Sequence, residues 1–202
     1  MDEVDENLLL PRDTLLSAGV HIGTHIKNKE MEPFIYKVRN DGLYILDVEK
    51  MNERMRVAGK FLSRLDLSKL LVLSSKRYGR TPVLKFCEKT GAQPMVGRFP
   101  SGTLTNPNCG TYTEPEAVMV TDPLADTQVV DEAAIMGIPV IGLCSTDNST
   151  SNLDFVIPLN NKGRRALAVV YWLICREIKR LKNEIPQDGD LDASIDEFES
   201  VM

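Results

Sequence analysis

The chain has 202 residues, with 24 Lys plus Arg against 29 Asp plus Glu and a formal net charge of −5. A net negative charge argues against a nucleic-acid-binding protein, because neutralising phosphates requires a surplus of Lys and Arg. The distribution of the charges changes this interpretation. Residues 1–7 hold four acids and 183–202 hold seven, with no base in either, so residues 8–182 keep 24 bases against 18 acids, a net charge of +6. The sequence therefore indicates a basic body between two acidic ends.

The body is itself divided by charge. Residues 8–98 carry 17 bases against nine acids, and residues 162–182 carry seven bases against one acid. Residues 99–161 carry eight acids and no base. This separation predicts one basic side and one neutral or acidic side, provided that the fold brings the two basic segments together. Scattered, solvated charge is the alternative.

Composition also bears on location and on covalent cross-links. No apolar run reaches the roughly 20 residues that span a bilayer, and the N-terminus MDEVDEN is unlike a signal peptide, so we expect a soluble, cytoplasmic protein without membrane contact. Cys87, Cys109, Cys144 and Cys175 show no C-x-x-C spacing. They are predicted to be buried free thiols rather than zinc ligands or disulfide partners.

The apolar pattern predicts helices and strands in regular alternation. The first part of the chain is predicted to form a short helix over 13–17, an alternating segment at 34–39, a turn at 40–42, an apolar run at 43–46 and a helix over 47–65. A strand at 70–73, a helix from Thr81 and Pro82 to Gly91, a strand at 94–96 and a long loop over 97–113 follow. The last part is predicted to form a strand at 117–121, a helix from Asp122 to Gly137, strands at 139–143 and 155–157, and a helix over 163–182. Such alternation predicts βαβ units.

The expected fold class is therefore α/β, with a doubly wound, mostly parallel sheet between two helical layers in a single domain over residues 8–182. Residues 1–7 form an acidic arm. Residues 183–202 combine low hydrophobicity with unbroken negative charge, so we expect an acidic, disordered tail. This tail is expected to compete with an anionic partner for the basic side.

Two aspartates follow predicted strands, where α/β proteins bind ligands. Asp47 and Asp122 suit general bases or magnesium ligands, and they equally suit N-caps of the helices that follow them. No G-x-G-x-x-G, G-x-x-x-x-G-K-[ST], G-x-S-x-G or H-E-x-x-H pattern is present. We therefore expect no enzyme, no cofactor and no small-molecule substrate. The alternative is an enzyme or a nucleotide-binding module of the same architecture.

The histidines lie in a polar, basic stretch. His21 and His25 have the spacing of two metal ligands on a helix, but Gly23 and the few apolar residues argue against a helix, and no third ligand is evident. We expect no metal site. The favoured interpretation is that this stretch, with Lys27 and Lys29, hydrogen-bonds phosphates and sugars.

Two further basic elements suit a nucleic-acid backbone. Lys76, Arg77 and Arg80 follow a buried strand and enclose Tyr78, an arrangement typical of phosphate contact with occasional stacking, although a solvated turn is the alternative. The last helix places Arg165, Arg176, Lys179 and Arg180, with Trp172, on the face opposite its apolar residues. This basic stripe predicts an anionic partner.

Four segments together resemble one known family: AGVHIGTHIKNKEMEPFIYKVRNDGLYILD at 18–47, GRFPSGTLTN at 97–106, PEAVMVTDPLADTQVVDEAAIMGIPVIGLCSTDN at 115–148 and FVIPLNNKGRRAL at 155–167. They are similar to the ribosomal protein S-two family of the small subunit, whose eukaryotic relative is the laminin-receptor precursor. The resemblance covers about 10–182. The chain lacks the helical hairpin that bacterial members insert after the first βα unit, so it resembles the archaeal and eukaryotic branch.

This resemblance implies a flavodoxin-like fold and a non-enzymatic, structural constituent of the cytoplasmic small ribosomal subunit. It implies binding to small-subunit ribosomal RNA near the junction of head and body, contact with neighbouring small-subunit proteins, and support of subunit assembly and translation. A protein-interaction scaffold with acidic docking arms is a further, compatible interpretation.

The family's motifs map onto short segments of this chain. G-x-H-x-G-x-H falls on residues 19–25, G-x-L-T-N on 102–106 and N-K-G-R-R-A-[LI] on 161–167. Together with the basic elements above, they define the residues expected to bind RNA: His21, Thr24, His25, Lys27, Lys29, Lys37, Arg39, Lys76, Arg77, Arg80, Arg98, Gly102, Thr103, Thr105, Asn106, Lys162, Arg164 and Arg165.

Overall fold

The computed structural model describes residues 8–200, so the acidic arm expected at 1–7 lies outside the described residues. The strands are β1 (Ile35–Val38), β2 (Tyr44–Leu46), β3 (Leu70–Ser74), β4 (Gln93–Val96), β5 (Ala117–Val120), β6 (Val140–Cys144) and β7 (Phe155–Pro158). The α-helices are α1 (Arg12–Ser17), α2 (Val48–Arg64), α3 (Arg77–Thr90), α4 (Thr127–Met136), α5 (Arg164–Leu181) and α6 (Ile195–Phe198). Lys29–Phe34 and Leu67–Lys69 form 3₁₀ helices.

A five-stranded parallel sheet forms the centre, in the order β4-β3-β5-β6-β7. Numbered along the chain within this sheet, the strands run 2-1-3-4-5, which is the flavodoxin-like order with its reversal between β3 and β5. Every residue of β3, β5 and β6 is buried, because helices or loops cover both faces of the sheet. The predicted α/β class is confirmed.

The two faces of the sheet are covered differently. On one face, Val72 and Met119 pack in a core that includes residues of α2, α3 and α5. On the other face, Leu71 and Val120 pack against α4 and against Phe99 and Leu104 of the long loop. The loop therefore completes the second outer layer.

The first two strands form a sheet of their own. β1 and β2 pair antiparallel, with a register irregularity between Ile35 and Lys37. The stretch before them runs along β2, since the Gly23 N–H donates to the Tyr44 carbonyl at 2.9 Å. A Cβ at Gly23 would lie 2.8 Å from that carbonyl oxygen and 2.6 Å from the Thr146 methyl group, so this close approach requires glycine.

Two helices begin away from their predicted positions. α3 begins at Arg77, and Pro82 lies inside it, so the predicted start at Thr81 and Pro82 is wrong. α4 begins at Thr127 rather than at Asp122, because the chain first makes a turn in which Asp122 accepts the Leu124 N–H at 3.1 Å. The other predicted helices and strands agree with the structure to within one or two residues.

The part of the acidic tail that the structure describes, residues 183–200, packs onto α5, in contrast to the expected disorder. Phe198 is fully buried, and the Trp172 Nε1–H donates to the Ala193 carbonyl at 2.8 Å. Trp172, Ala193 and Phe198 belong to one core. A few apolar side chains thus anchor a segment whose average composition is that of a disordered chain.

The cysteines are free thiols, of which Cys87, Cys144 and Cys175 are buried and Cys109 is half-buried. Burial raises the pKa of Cys87 and of Cys175 to about 12, so both stay protonated at neutral pH. Among residues 8–200, no helix is both long and apolar enough for a membrane span.

Candidate nucleic-acid interface

The crevice where flavodoxin-like folds bind ligands, beyond the carboxyl ends of β3 and β5, is filled by the chain's own polar side chains. Asp122 is 2% exposed, forms an ion pair with Lys76 and accepts the Asn148 amide at 2.7 Å. Asn161 donates to Asn148 at 3.0 Å. Asp126 accepts the Ser75 N–H at 3.3 Å, and burial raises the pKa of its carboxyl. Polar side chains at these strand ends are thus bonded to other groups of the same chain.

The two candidate catalytic aspartates have structural roles. Asp47 caps α2 by accepting the N–H groups of Glu49 and Lys50 at 3.0 and 3.4 Å, as the capping interpretation predicts. Asp122 does not cap a helix, and its carboxylate belongs to the network above. Among the described residues, no three His, Cys, Asp or Glu side chains are grouped as a metal site requires.

The histidine stretch is extended, not helical. Leu46 donates its N–H to the His21 carbonyl at 2.8 Å, and the Thr24 N–H donates to the Thr146 hydroxyl at 2.9 Å. Burial lowers the pKa of His21, so its ring is neutral at pH 7. His25 is exposed, beside the turn at Gly42. The stretch presents polar groups along the hairpin rather than a pair of metal ligands.

The long loop is fixed from beneath by Glu132, which is 3% exposed. Its carboxylate accepts the N–H groups of Gly102 and Leu104 at 2.7 and 3.1 Å. Burial opposes ionisation of Glu132, but these N–H groups and the Gln128 amide hold its pKa below the usual value. Sequence reasoning missed Glu132, because nothing local relates it to a loop 28–30 residues away.

Most of the predicted loop residues reach the surface, but Thr103 does not. Its side chain is fully buried, and its hydroxyl donates to the Pro100 carbonyl at 2.7 Å. Thr103 therefore shapes the loop from inside, which corrects its expected place at the RNA surface. Gly102 and Thr105 are half-buried and Asn106 is exposed.

Many of the predicted RNA-binding residues follow the carboxyl ends of parallel strands: Lys76, Arg77 and Arg80 follow β3, Arg98 follows β4, and Lys162, Arg164 and Arg165 follow β7. The histidine stretch reaches the same ends of the strands through Thr24, which bonds Thr146 just after β6, and Lys37 and Arg39 lie on the adjoining β1–β2 hairpin. The two basic segments are in contact because α3 packs against α5. Lys162 pairs with Asp147 at 2.5 Å, and Arg164 pairs with Glu199 at 2.6 Å. Glu199 is followed by Ser200, which bonds to the start of α3. The fold therefore brings the two basic segments together, and we call this side of the molecule the basic edge.

The cations of the basic edge differ in whether a carboxylate neutralises them. Lys27 pairs with Glu32 at 2.7 Å and Arg39 with Asp41 at 3.3 Å. Within residues 8–200, five of the predicted RNA-binding cations have no carboxylate within ion-pair distance, and they are Lys29, Lys37, Arg77, Arg80 and Arg98. All five are exposed. They are the cations most available to phosphates.

The basic stripe of α5 pairs with carboxylates of the same chain, whereas the sequence predicted an anionic partner. Residues 184–200, which we call the acidic segment, lie over it. Arg176 is 3% exposed, stacks on Trp172 at 4.8 Å and pairs with Asp190 at 2.9 Å. Arg165 pairs with Glu199 at 3.3 Å. Carboxylates of the same chain therefore occupy most of the stripe.

Comparison with known proteins identifies the family. The model of the family described as ribosomal protein S2 matches residues 15–114 and 109–180. The small ribosomal subunit protein uS2 of Staphylothermus marinus is 55% identical over 192 residues, which cover 95% of this chain and 87% of that protein. Its counterparts in Thermofilum pendens and Thermoplasma acidophilum are 50% and 49% identical, each over 98% of this chain and over 92% and 99% of those proteins. The chain therefore belongs to the ribosomal protein S2 family, in its archaeal branch.

Proposed function

We propose that this protein binds small-subunit ribosomal RNA through its basic edge, as a structural component of the small ribosomal subunit. As a member of a ribosomal protein family, the chain is a structural protein and not an enzyme. The observation that carries the RNA-binding proposal is the group of exposed cations without carboxylate partners among the described residues. Phosphate contact requires cations of this kind.

The cations divide into two groups along the basic edge. Arg77 and Arg80 lie on the first turns of α3, and Arg98 follows β4 at the adjacent strand end. A Cβ at Gly97 would lie 3.8 Å from an Arg80 guanidinium nitrogen, so Arg80 and Arg98 flank one short stretch of backbone. Lys29 and Lys37 belong to the other group, near the β1–β2 hairpin. Two separated groups suit the recognition of RNA shape rather than of a base sequence.

The position near the junction of head and body, and the support of assembly and translation, are part of the same proposal and follow from the family. Neighbouring small-subunit proteins are expected on the other side of the molecule. Glu114, Glu116 and Asp131 are exposed acids in 99–161, a stretch without a base, and RNA would avoid a surface that carries them.

The test is RNA binding as a function of salt. Wild-type protein should bind purified small-subunit RNA with an affinity that falls by a log–log slope of about −0.7 to −0.9 per phosphate contact. The double variant Arg80→Ala/Arg98→Ala should weaken binding and reduce the slope by about 1.5.

The matched control is Lys60→Ala/Arg64→Ala, which removes the same charge from exposed positions on α2. It should leave the slope nearly unchanged. Equal losses in both double variants would show that net charge, and not the basic edge, determines binding. A flat salt dependence of the wild type would refute the proposal.

A further inference from the structure

A cleft lies between α1, the β1–β2 hairpin and the start of α2, at one end of the basic edge. It encloses about 480 Å³, and apolar side chains, among them Leu16, Ile22, Ile45 and Leu46, form its floor. This volume is within the range of sites for small organic molecules. A cleft of this volume with an apolar floor suits a planar ring system.

The rim of the cleft is cationic. Arg12 and Lys37 have no carboxylate partner within the part of the chain that the structure describes, and Arg39 shares only an exposed ion pair with Asp41 at 3.3 Å. Two acids also line the cleft. Asp47 caps α2 and pairs with Lys50 at 4.0 Å, which leaves Glu49 as the one acid of this lining that is unpaired among the described residues, against the two unpaired cations Arg12 and Lys37. The rim therefore favours an anion.

Two further side chains in the cleft have features that suit a ligand. Tyr36 is 66% exposed, and the ammonium of Lys37 lies 5.7 Å from its ring centre. The Nδ1 of His21 is buried and has no hydrogen-bond partner among residues 8–200. A buried ring nitrogen without a partner is unfavourable unless another group supplies the hydrogen bond.

We propose that this cleft holds one unpaired nucleotide of an RNA strand. The base lies on the apolar floor against the Tyr36 ring, and its phosphate is held by Arg12, Lys37 and Arg39. The His21 ring supplies a hydrogen bond to the base edge. Aromatic stacking with cations around it is the general way in which proteins bind unpaired nucleotides. This inference deepens the proposed RNA binding by naming one site and the form of RNA that it takes.

The direct test is a titration of the isotope-labelled full chain with adenosine 5′-monophosphate and with uridine 5′-monophosphate, followed by NMR. Chemical-shift changes should concentrate at the amides of Ile22, Ile45 and Leu46 and at the ring resonances of Tyr36. Shifts elsewhere only, or no shifts at millimolar nucleotide, would refute the cleft as a nucleotide site.

The second test compares variants on a 12-nucleotide single strand and on a duplex of the same composition. Tyr36→Ala should weaken single-strand binding about tenfold and leave duplex binding unchanged, and Tyr36→Phe should retain wild-type affinity. Val38→Ala, an exposed change on the same strand outside the cleft lining, is the control for the fold of the hairpin. Equal losses for Tyr36→Ala and Val38→Ala would count against a stacking role.

The outcomes separate the two proposals. If Arg80→Ala/Arg98→Ala weakens binding to small-subunit RNA while Tyr36→Ala and the mononucleotides have no effect, the cleft proposal fails and the proposed function stands. If the mononucleotides bind in the cleft but small-subunit RNA does not bind at all, the cleft proposal stands as a nucleotide site and the proposed function fails.

Discussion

The hydroxyl of Ser200 donates a hydrogen bond of 3.1 Å to the main-chain carbonyl of Tyr78. This carbonyl lies four residues before Pro82, which has no N–H to donate to it within α3. The acidic segment thus supplies the donor that the proline removes from the helix.

We predict that Ser200→Ala lowers the free energy of unfolding by about 1 kcal/mol, because a half-buried carbonyl loses its donor. Urea denaturation measures this loss. In a Pro82→Ala background the same change should cost less, because the new N–H at position 82 bonds the Tyr78 carbonyl. Equal costs in the two backgrounds would contradict this coupling.

The packing of the acidic segment makes a strong prediction for Phe198. Its side chain is fully buried in the main core, so Phe198→Ala should lower the free energy of unfolding by about 3–4 kcal/mol. Phe61→Ala, which truncates an exposed ring on α2, should cost less than about 1 kcal/mol. A Phe198→Ala variant as stable as the wild type would show that the segment is detached in solution.

The carboxylates at the end of the acidic segment should weaken nonspecific RNA binding, because they occupy Arg164 and Arg165. Asp196→Asn/Glu199→Gln is therefore expected to raise the affinity for an unrelated RNA several-fold at low salt. Glu88→Gln/Glu116→Gln removes the same charge from exposed carboxylates that pair with Lys85 and Lys69, neither of which is a predicted RNA-binding residue, and serves as the control. Equal increases in both variants would attribute the effect to net charge alone.

Glu132 should determine the rigidity of the long loop. Glu132→Ala leaves the Gly102 and Leu104 N–H groups without their acceptor and should lower the free energy of unfolding by about 2–3 kcal/mol. Hydrogen exchange should accelerate at these two amides and remain slow in β5. Unchanged exchange at both amides would show that another acceptor holds the loop.

The His21 ring should make stability depend on pH. Burial lowers its pKa from 6.5 in the folded protein, so the unfolded chain binds a proton at a higher pH. This contribution to stability is fully present above pH 6.5 and is lost as the pH falls toward the folded pKa. Comparing urea denaturation of wild type and His21→Gln between pH 7.5 and 5 isolates it, and the variant should show the flatter profile. Parallel profiles would exclude His21 as the source.

The order and type of most elements follow from local sequence. Buried parallel strands read as short apolar runs, and β3, β5 and β6 are buried throughout. The errors at helix starts have a shared cause. Pro82 and Asp122 are both strong signals of a helix start. In the structure, however, Pro82 is buried at the sixth position of α3. Asp122 instead pairs with Lys76 and accepts a hydrogen bond from Asn148.

The candidate RNA-binding surface was less predictable, because it depends on contacts distant in sequence. The basic character of Arg77, Arg80 and Arg98 is visible in the sequence, whereas the loss of the α5 stripe to the acidic segment is not. Charge counts could not show that Phe198 and Ala193 anchor that segment. The hydrogen bond between Trp172 and Ala193, which are 21 residues apart, holds the acidic segment against this face of α5.

The burial of Phe198 bears on how this protein is made. Protein domains generally fold as units during synthesis, once their residues have left the ribosome that produces them. The sheet is complete at Pro158, but the face of α5 that carries Trp172 and Arg176 stays uncovered until residues 190–198 have emerged. For that interval the nascent chain presents an unshielded aromatic and cationic surface next to the RNA of the translating ribosome.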